Sequence, residues 1–148
     1  MTLSPLIRFG TSTWTYEGWK GQIYTRSYTK TGFTRDCLGE YCQYRYKGEP
    51  LFRTVGNDAT FYRPPTVNQL IRYLSQIPED FEMCAKVWEE ITIPTYATHA
   101  RYGIKAGQRN PNFLNADAFI KLVLQPYRDA RFGPHTGPFL FEFQRHGL

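Results

Sequence analysis

Thr54 to Pro65, Thr-Val-Gly-Asn-Asp-Ala-Thr-Phe-Tyr-Arg-Pro-Pro, is the stretch that leaves the chain least freedom. Thr, Val, Phe and Tyr favour a pleated backbone, and Pro64 and Pro65 lack the N–H that a further ladder bond needs, so a strand must end there. Thr66 follows with Gln69 three residues on. That is the spacing of a capping box, in which the hydroxyl takes one orphan N–H and the amide reaches back to the cap. Val67, Leu70, Ile71, Leu74 and Ile77 then recur at helical spacing up to Pro78. A further strand from Phe81 completes a β-α-β unit, for which parallel strands and a right-handed crossover are the rule.

The rest of the chain arranges itself around that unit. Ile7–Thr13 reads as a first strand, with Gly10 permitting close approach of a neighbour. Trp14 to Arg35 is a basic, aromatic connection, and Asp36 to Arg45 a weaker helix in which Leu38, Tyr41 and Cys42 share a face while Gly39 lowers the propensity. The second strand covers Leu51 to Phe61. Phe81–Trp88 alternates strictly, with Phe81, Met83, Ala85 and Val87 on one face and Lys86 on the other. A long loop from Glu89 leads to a helix capped by Asn115, with Phe119, Ile120, Val123, Leu124 and Tyr127 on one side and Pro126 expected to kink or end it. Pro138–Gln144 reads as a fourth strand. The order β-α-β-α-β-α-β predicts an α/β fold, namely a parallel β/α (TIM-type) barrel truncated to about four β-α units, with a four-stranded open sheet as the alternative. A cut barrel leaves two unpaired edges, which a second copy or a missing C-terminal half would cover.

Composition bounds the partners. The 148 residues are 41% hydrophobic, enough for one domain spanning 1–148. No apolar run approaches the roughly 20 residues of a membrane span, so a cytoplasmic protein that does not contact membrane is expected. Three cysteines without CxxC spacing argue against a disulfide framework, and three dispersed histidines against a metal site. Nothing in the motifs asks for a cofactor. The net charge of +5 favours anionic partners.

Gly10-Thr11-Ser12-Thr13-Trp14-Thr15-Tyr16, then Trp19-Lys20-Gly21-Gln22-Ile23-Tyr24, Thr54-Val55 with Thr60-Phe61-Tyr62, and Phe81 with Lys86 and Ile91-Thr92 resemble the YecE-like family, domain of unknown function 72. The resemblance implies a TIM-type barrel without an established activity, of which this chain is similar to the N-terminal half. Where that family commonly carries Glu directly after Thr-Val and Asn two residues on, this chain has Gly56 and Asp58. A carboxylate is therefore displaced two positions along the same face.

In a β/α barrel the site lies at the C-terminal ends of the strands. Alternation points Asp58, Lys86 and Glu142 toward a common lumen, where two carboxylates flanking a lysine suit proton transfer or the holding of an anion, or form an internal ion network. Arg26, Lys30, Arg101, Lys105 and Arg109 form a candidate basic rim. Thr11, Ser12, Thr60 and the rings of Trp14, Tyr16, Trp19, Tyr24 and Tyr62 are candidate ligand contacts, the rings being equally suited to a core. A small anionic or phosphate-bearing ligand is the leading expectation. Nucleic acid is the less favoured alternative, raised by Tyr24-Thr25-Arg26-Ser27-Tyr28 and Tyr44-Arg45-Tyr46-Lys47.

Overall fold

Three strands lie parallel in the order β3 (Thr54–Asn57), β4 (Glu82–Lys86) and β5 (Thr136–Leu140) in a computed structural model that describes Ser4 and residues 6–143. Gln144, the end of the expected fourth strand, and His146 lie outside the described residues. The architecture is mixed α/β. Among the described residues the sheet does not close into a barrel, and no helix is long and apolar enough to cross a membrane.

Ile7–Thr13 is an extended segment rather than a ladder strand. It runs beside β3, where the Arg53 N–H donates to the Phe9 carbonyl (2.9 Å) and the Gly56 N–H to the Thr11 carbonyl (2.8 Å). The pairing offset changes by one residue between these bonds, so no regular ladder forms. The Tyr41 hydroxyl fills the gap, accepting from the Thr11 N–H at 3.0 Å and donating toward the Thr54 carbonyl at 3.4 Å. Gly10 is obligatory here, because a Cβ would stand 2.1 Å from the Thr54 oxygen.

β3 is shorter than the expected Leu51–Phe61. The chain leaves it in a 3-10 turn, Asp58–Phe61, held by the buried Thr60 hydroxyl against the carbonyls of Asn57 (2.6 Å) and Lys86 (2.7 Å). Ahead of it stands a small hairpin, β1 (Arg45–Tyr46) and β2 (Glu49–Pro50), whose tip residues Lys47 and Gly48 both have positive φ, as a tight primed turn demands. The helix expected over Asp36–Arg45 is the shorter α2 (Leu38–Gln43), and a helix the sequence reading did not expect, α1 (Lys30–Asp36), precedes it. Thr29 caps α1 through the Gly32 N–H at 3.0 Å, and Phe33 anchors it in the core against Tyr24 and Tyr28. Packing overrides the poor helix propensity of Lys-Thr-Gly.

The capping box of α3 (Val67–Leu74) forms as its sequence predicts, the Gln69 N–H donating to Thr66 Oγ1 (3.2 Å) and the Thr66 N–H to Gln69 Oε1 (2.9 Å). Leu70 is buried, but Ile71 is exposed. Tyr73 packs in its stead, edge-on to Trp14 at 5.3 Å. β4 alternates as predicted, and a short helix α4 (Glu89–Thr92) follows its end. The last helix, 116–129, is capped by Asn115 Oδ1 accepting from the Ala118 N–H at 3.0 Å. Pro126 does not end it. A π-helical turn over Phe119–Leu124 precedes the proline and accommodates its missing N–H, and helix continues over Gln125–Asp129. A bulge between Met83 and Ala85 shifts the β4–β5 register opposite Gly137 and Pro138, whose ring nitrogen has no hydrogen to give.

The core lies between sheet and helices. Val55, Phe81, Met83 and Ala85 pack with Phe33, Leu38, Tyr41, Leu70 and Tyr127. Tyr41 stacks on Phe52 with centroids 4.3 Å apart and rings within 4° of parallel. The alternate residues Thr54, Gly56, Glu82, Cys84 and Lys86 point to the opposite face, where they are half-buried.

Candidate functional site

Three strand ends meet at Lys86. The residue closes β4 with its ammonium 3.6 Å from Asp58, in the turn after β3, and 2.9 Å from Glu142, beyond the end of β5. The Phe61 ring lies 5.9 Å away. Glu142 was expected within a strand, but β5 stops at Leu140 and the carboxylate reaches Lys86 from the segment that follows. The Glu142 carboxylate raises the Lys86 pKa above the ordinary lysine value, burial working against it and Asp58 adding to it. Lys86 is therefore a charged donor at neutral pH. The trio carries one more negative than positive charge.

The expected basic rim divides. Arg101 and Lys105 do not face an open mouth as free cations. Arg101 pairs with Glu89 at 2.7 Å and Lys105 with Glu90 at 3.2 Å. The Arg101 guanidinium is also packed against the rings of Tyr102 (4.5 Å) and Tyr62 (5.1 Å). Arg26 is exposed on the connection before α1, Lys30 is exposed at the first position of α1, and Arg109 is exposed on the 93–115 loop, where its backbone bridges Thr95.

A buried polar cluster that the sequence reading missed holds that loop. Glu90 is nearly buried and accepts from the Tyr96 hydroxyl, from Lys105 and from Asn112 Nδ2 (3.3 Å), while Asn110 Nδ2 donates to the Glu90 and Ile93 carbonyls at 2.8 and 2.7 Å. Burial alone would raise the Glu90 pKa, but these donors outweigh it and the carboxyl titrates below its ordinary value. Glu89 likewise accepts from Tyr102 at 2.8 Å. The signal was the pair Glu89-Glu90 directly after a strand end, facing two cations and two tyrosines within the next sixteen residues.

Several expected ligand contacts are structural. Trp14 is 4% exposed and Tyr24 1%, the Tyr24 hydroxyl donating to the Trp14 carbonyl. Neither can stack on a ligand. Thr60 is spent on the turn, and the Thr11 hydroxyl lies 2.6 Å from the Thr13 carbonyl and 2.9 Å from Tyr41. Trp19 packs at the core margin and meets the exposed Tyr16 edge-on at 5.3 Å. Ser12 is exposed beside Gly56. Tyr28 donates to Glu40 at 2.9 Å, which also accepts from the Thr25 N–H and hydroxyl, both at 2.7 Å. Of the two basic-aromatic runs, the hairpin tip stays exposed, with Lys47 over Tyr46 at 5.4 Å.

A cleft of about 450 Å³ lies between the turn Asp58–Phe61 and α3, lined by Asn57, Thr60, Tyr62, Arg63, Gln69 and Tyr73 and by none of Asp58, Lys86 and Glu142. The turn gives Asp58 and Phe61 to Lys86 and the neighbouring residues to the cleft. Arg63 makes no ion pair among the described residues.

Residues 8–146 match the model of a family described as a protein of unknown function, DUF72. No curated protein and no solved structure matches the chain.

Proposed function

This chain belongs to the DUF72 family, and from that premise we propose that it is a β/α half-barrel that binds a small molecule bearing an anionic group at the C-terminal ends of its strands, with Lys86 as the anchoring cation. The family description supplies no activity, so the support is geometric. Successive parallel segments, Ile7–Thr13, β3, β4 and β5, follow one another across the sheet as barrel strands do. The observation that carries the proposal is the convergence of Asp58, Lys86 and Glu142 from three successive strand ends.

Asp58 and Glu142 keep Lys86 protonated and fix its direction. Glu142 is 59% exposed, so it is the carboxylate that an incoming anion displaces at small cost, while Asp58 retains the ammonium.

The test is a titration with inorganic phosphate, read by thermal shift and by calorimetry, on the native chain and on Lys86→Met. Saturation at one hundred times the dissociation constant stabilises the native chain by about 2.7 kcal/mol. The variant keeps its circular dichroism and loses the phosphate response. An equal response in both proteins, or a variant that fails to fold, would reduce the trio to an internal ion network. The exposed Tyr46–Lys47 tip keeps nucleic acid as the second class. Its mark would be binding at low salt that weakens steeply as salt rises.

A further inference from the structure

The sheet ends on two edges that no strand covers among the described residues, and the side chains beside them are apolar. On one edge Ile7 and Phe9 are each 47% exposed. Past the other, Leu140, Phe141 and Phe143 are 49%, 46% and 54% exposed. Beside β5 lies a groove of about 620 Å³ walled by Leu124, Tyr127, Pro134 and Phe139, with Arg128 and Arg131 also lining it. We propose that two copies of this chain associate about a two-fold axis parallel to the strands, so that Ile7–Thr13 of each copy lies along β5 of the other.

Four observations lead to a second copy as the occupant. A two-fold axis along the strands keeps every strand parallel, and it turns two equivalent edge contacts into a closed ring rather than a growing fibre. Two sets of four segments give eight strands, the number at which a barrel interior is just filled by side chains.

The knobs and the groove lie in the same layer. Thr11 points to the helices, because its hydroxyl meets Tyr41 at 2.9 Å, while Arg8 points to the open face, where it pairs with Glu82 at 3.1 Å. Alternation therefore puts Ile7 and Phe9 on the helix side. Phe139 is on that side too, opposite Ala85 and edge-on to Tyr127 at 5.3 Å. The partner's phenylalanine and isoleucine thus arrive level with the groove.

The edges are apolar on both sides of the contact, Ile7 and Phe9 on one and Leu140 and Phe141 on the other, so pairing them removes apolar surface of both copies from water. The association would also complete the mouth around Lys86 with the partner's strand ends.

The association rests on the half-barrel reading above, and sedimentation or light scattering on the 148-residue chain tests it, alongside Phe9→Glu and Leu124→Glu. The expected species has twice the mass of one chain at tens of micromolar. Each variant, placed at an exposed or half-buried position, weakens it at least tenfold while circular dichroism is unchanged. A monomeric native chain, a dimer indifferent to both variants, or open-ended polymers would overturn the proposal. The phosphate titration separates the two readings. A monomer with a Lys86-dependent phosphate response fails the association alone, and a dimer without any response fails the ligand reading alone.

Discussion

At the scale of single residues, the hydroxyl of Tyr41 joins sequence to topology. The Ile7–Thr13 segment slips by one residue along β3, which would leave the Thr11 N–H and the Thr54 carbonyl unpaired. A ring rooted on α2 reaches across the core and gives both a partner. Tyr41→Phe keeps the stacking on Phe52 and removes only that bridge. We expect it to cost about 1–3 kcal/mol, since a partly buried donor and acceptor lose their bonds together. Urea denaturation would read this as a lower midpoint with an unchanged slope, and a loss under half a kilocalorie would mean that water serves the gap as well. Lys86 is the counterpart at the site. Its raised pKa is a stabilising contribution that is complete below the ordinary lysine value and is lost only as pH climbs through the higher folded value. The ion trio is therefore intact throughout the neutral range in which phosphate binding is measured.

At the scale of elements, what local chemistry dictates was legible and what tertiary packing dictates was not. Thr66 and Gln69 announce the capping box, Asn115 announces its cap, and the alternation of Phe81, Met83, Ala85 and Val87 gives the buried face of β4, because each signal is complete within a few residues. α1 was hidden, since Lys30-Thr31-Gly32 carries no periodic pattern and only burial of Phe33 makes it a helix. Trp14 and Tyr24 look like site residues in a polar loop and Thr60 like one near a strand end, yet the fold draws them inward. The 93–115 loop follows the same logic on a longer scale. Glu89 and Glu90 pin it through Arg101, Lys105, Tyr96 and Asn112, so its order depends on two carboxylates. Because the Glu90 pKa is lowered on folding, its contribution is full above the ordinary glutamate value of 4.5 and is lost as pH falls through the lower folded value. Hydrogen exchange at the Tyr96 and Gly107 amides, which bond to the Gln108 and Tyr96 carbonyls, should quicken below that pH before the β4 amides do. Glu90→Gln should bring the same opening to neutral pH. Simultaneous loss of protection in loop and sheet would show that the pins are not a local clamp.

For the whole molecule, the question is how a four-segment sheet with a polar open face remains stable. One face has a dense aromatic core, and the other carries Thr54, Glu82, Cys84 and Lys86 without a second layer of helices. An edge flanked by exposed phenylalanine is an invitation to pairing, and natural sheets cover such edges or charge them. Here Arg8 is turned to Glu82 and Lys86 to Asp58 and Glu142, while Arg128 and Arg131 stand exposed in the groove beside β5. If a second copy covers the edges, folding and association are one equilibrium and stability must depend on concentration. The size of that dependence can be stated. Each tenfold increase in concentration is worth about 1.4 kcal/mol per dimer. The unfolding entropy near the midpoint is about 2.1 cal/mol/K per residue, summed over two chains. The midpoint should therefore rise by about 2 °C per tenfold increase. Scanning calorimetry from a few micromolar to a few hundred would accumulate a rise of about 4 °C, and Phe9→Glu should flatten it. A midpoint that stays constant over that range would mean that one copy of this 148-residue chain is stable with its edges bare and the polar face of its sheet open to solvent.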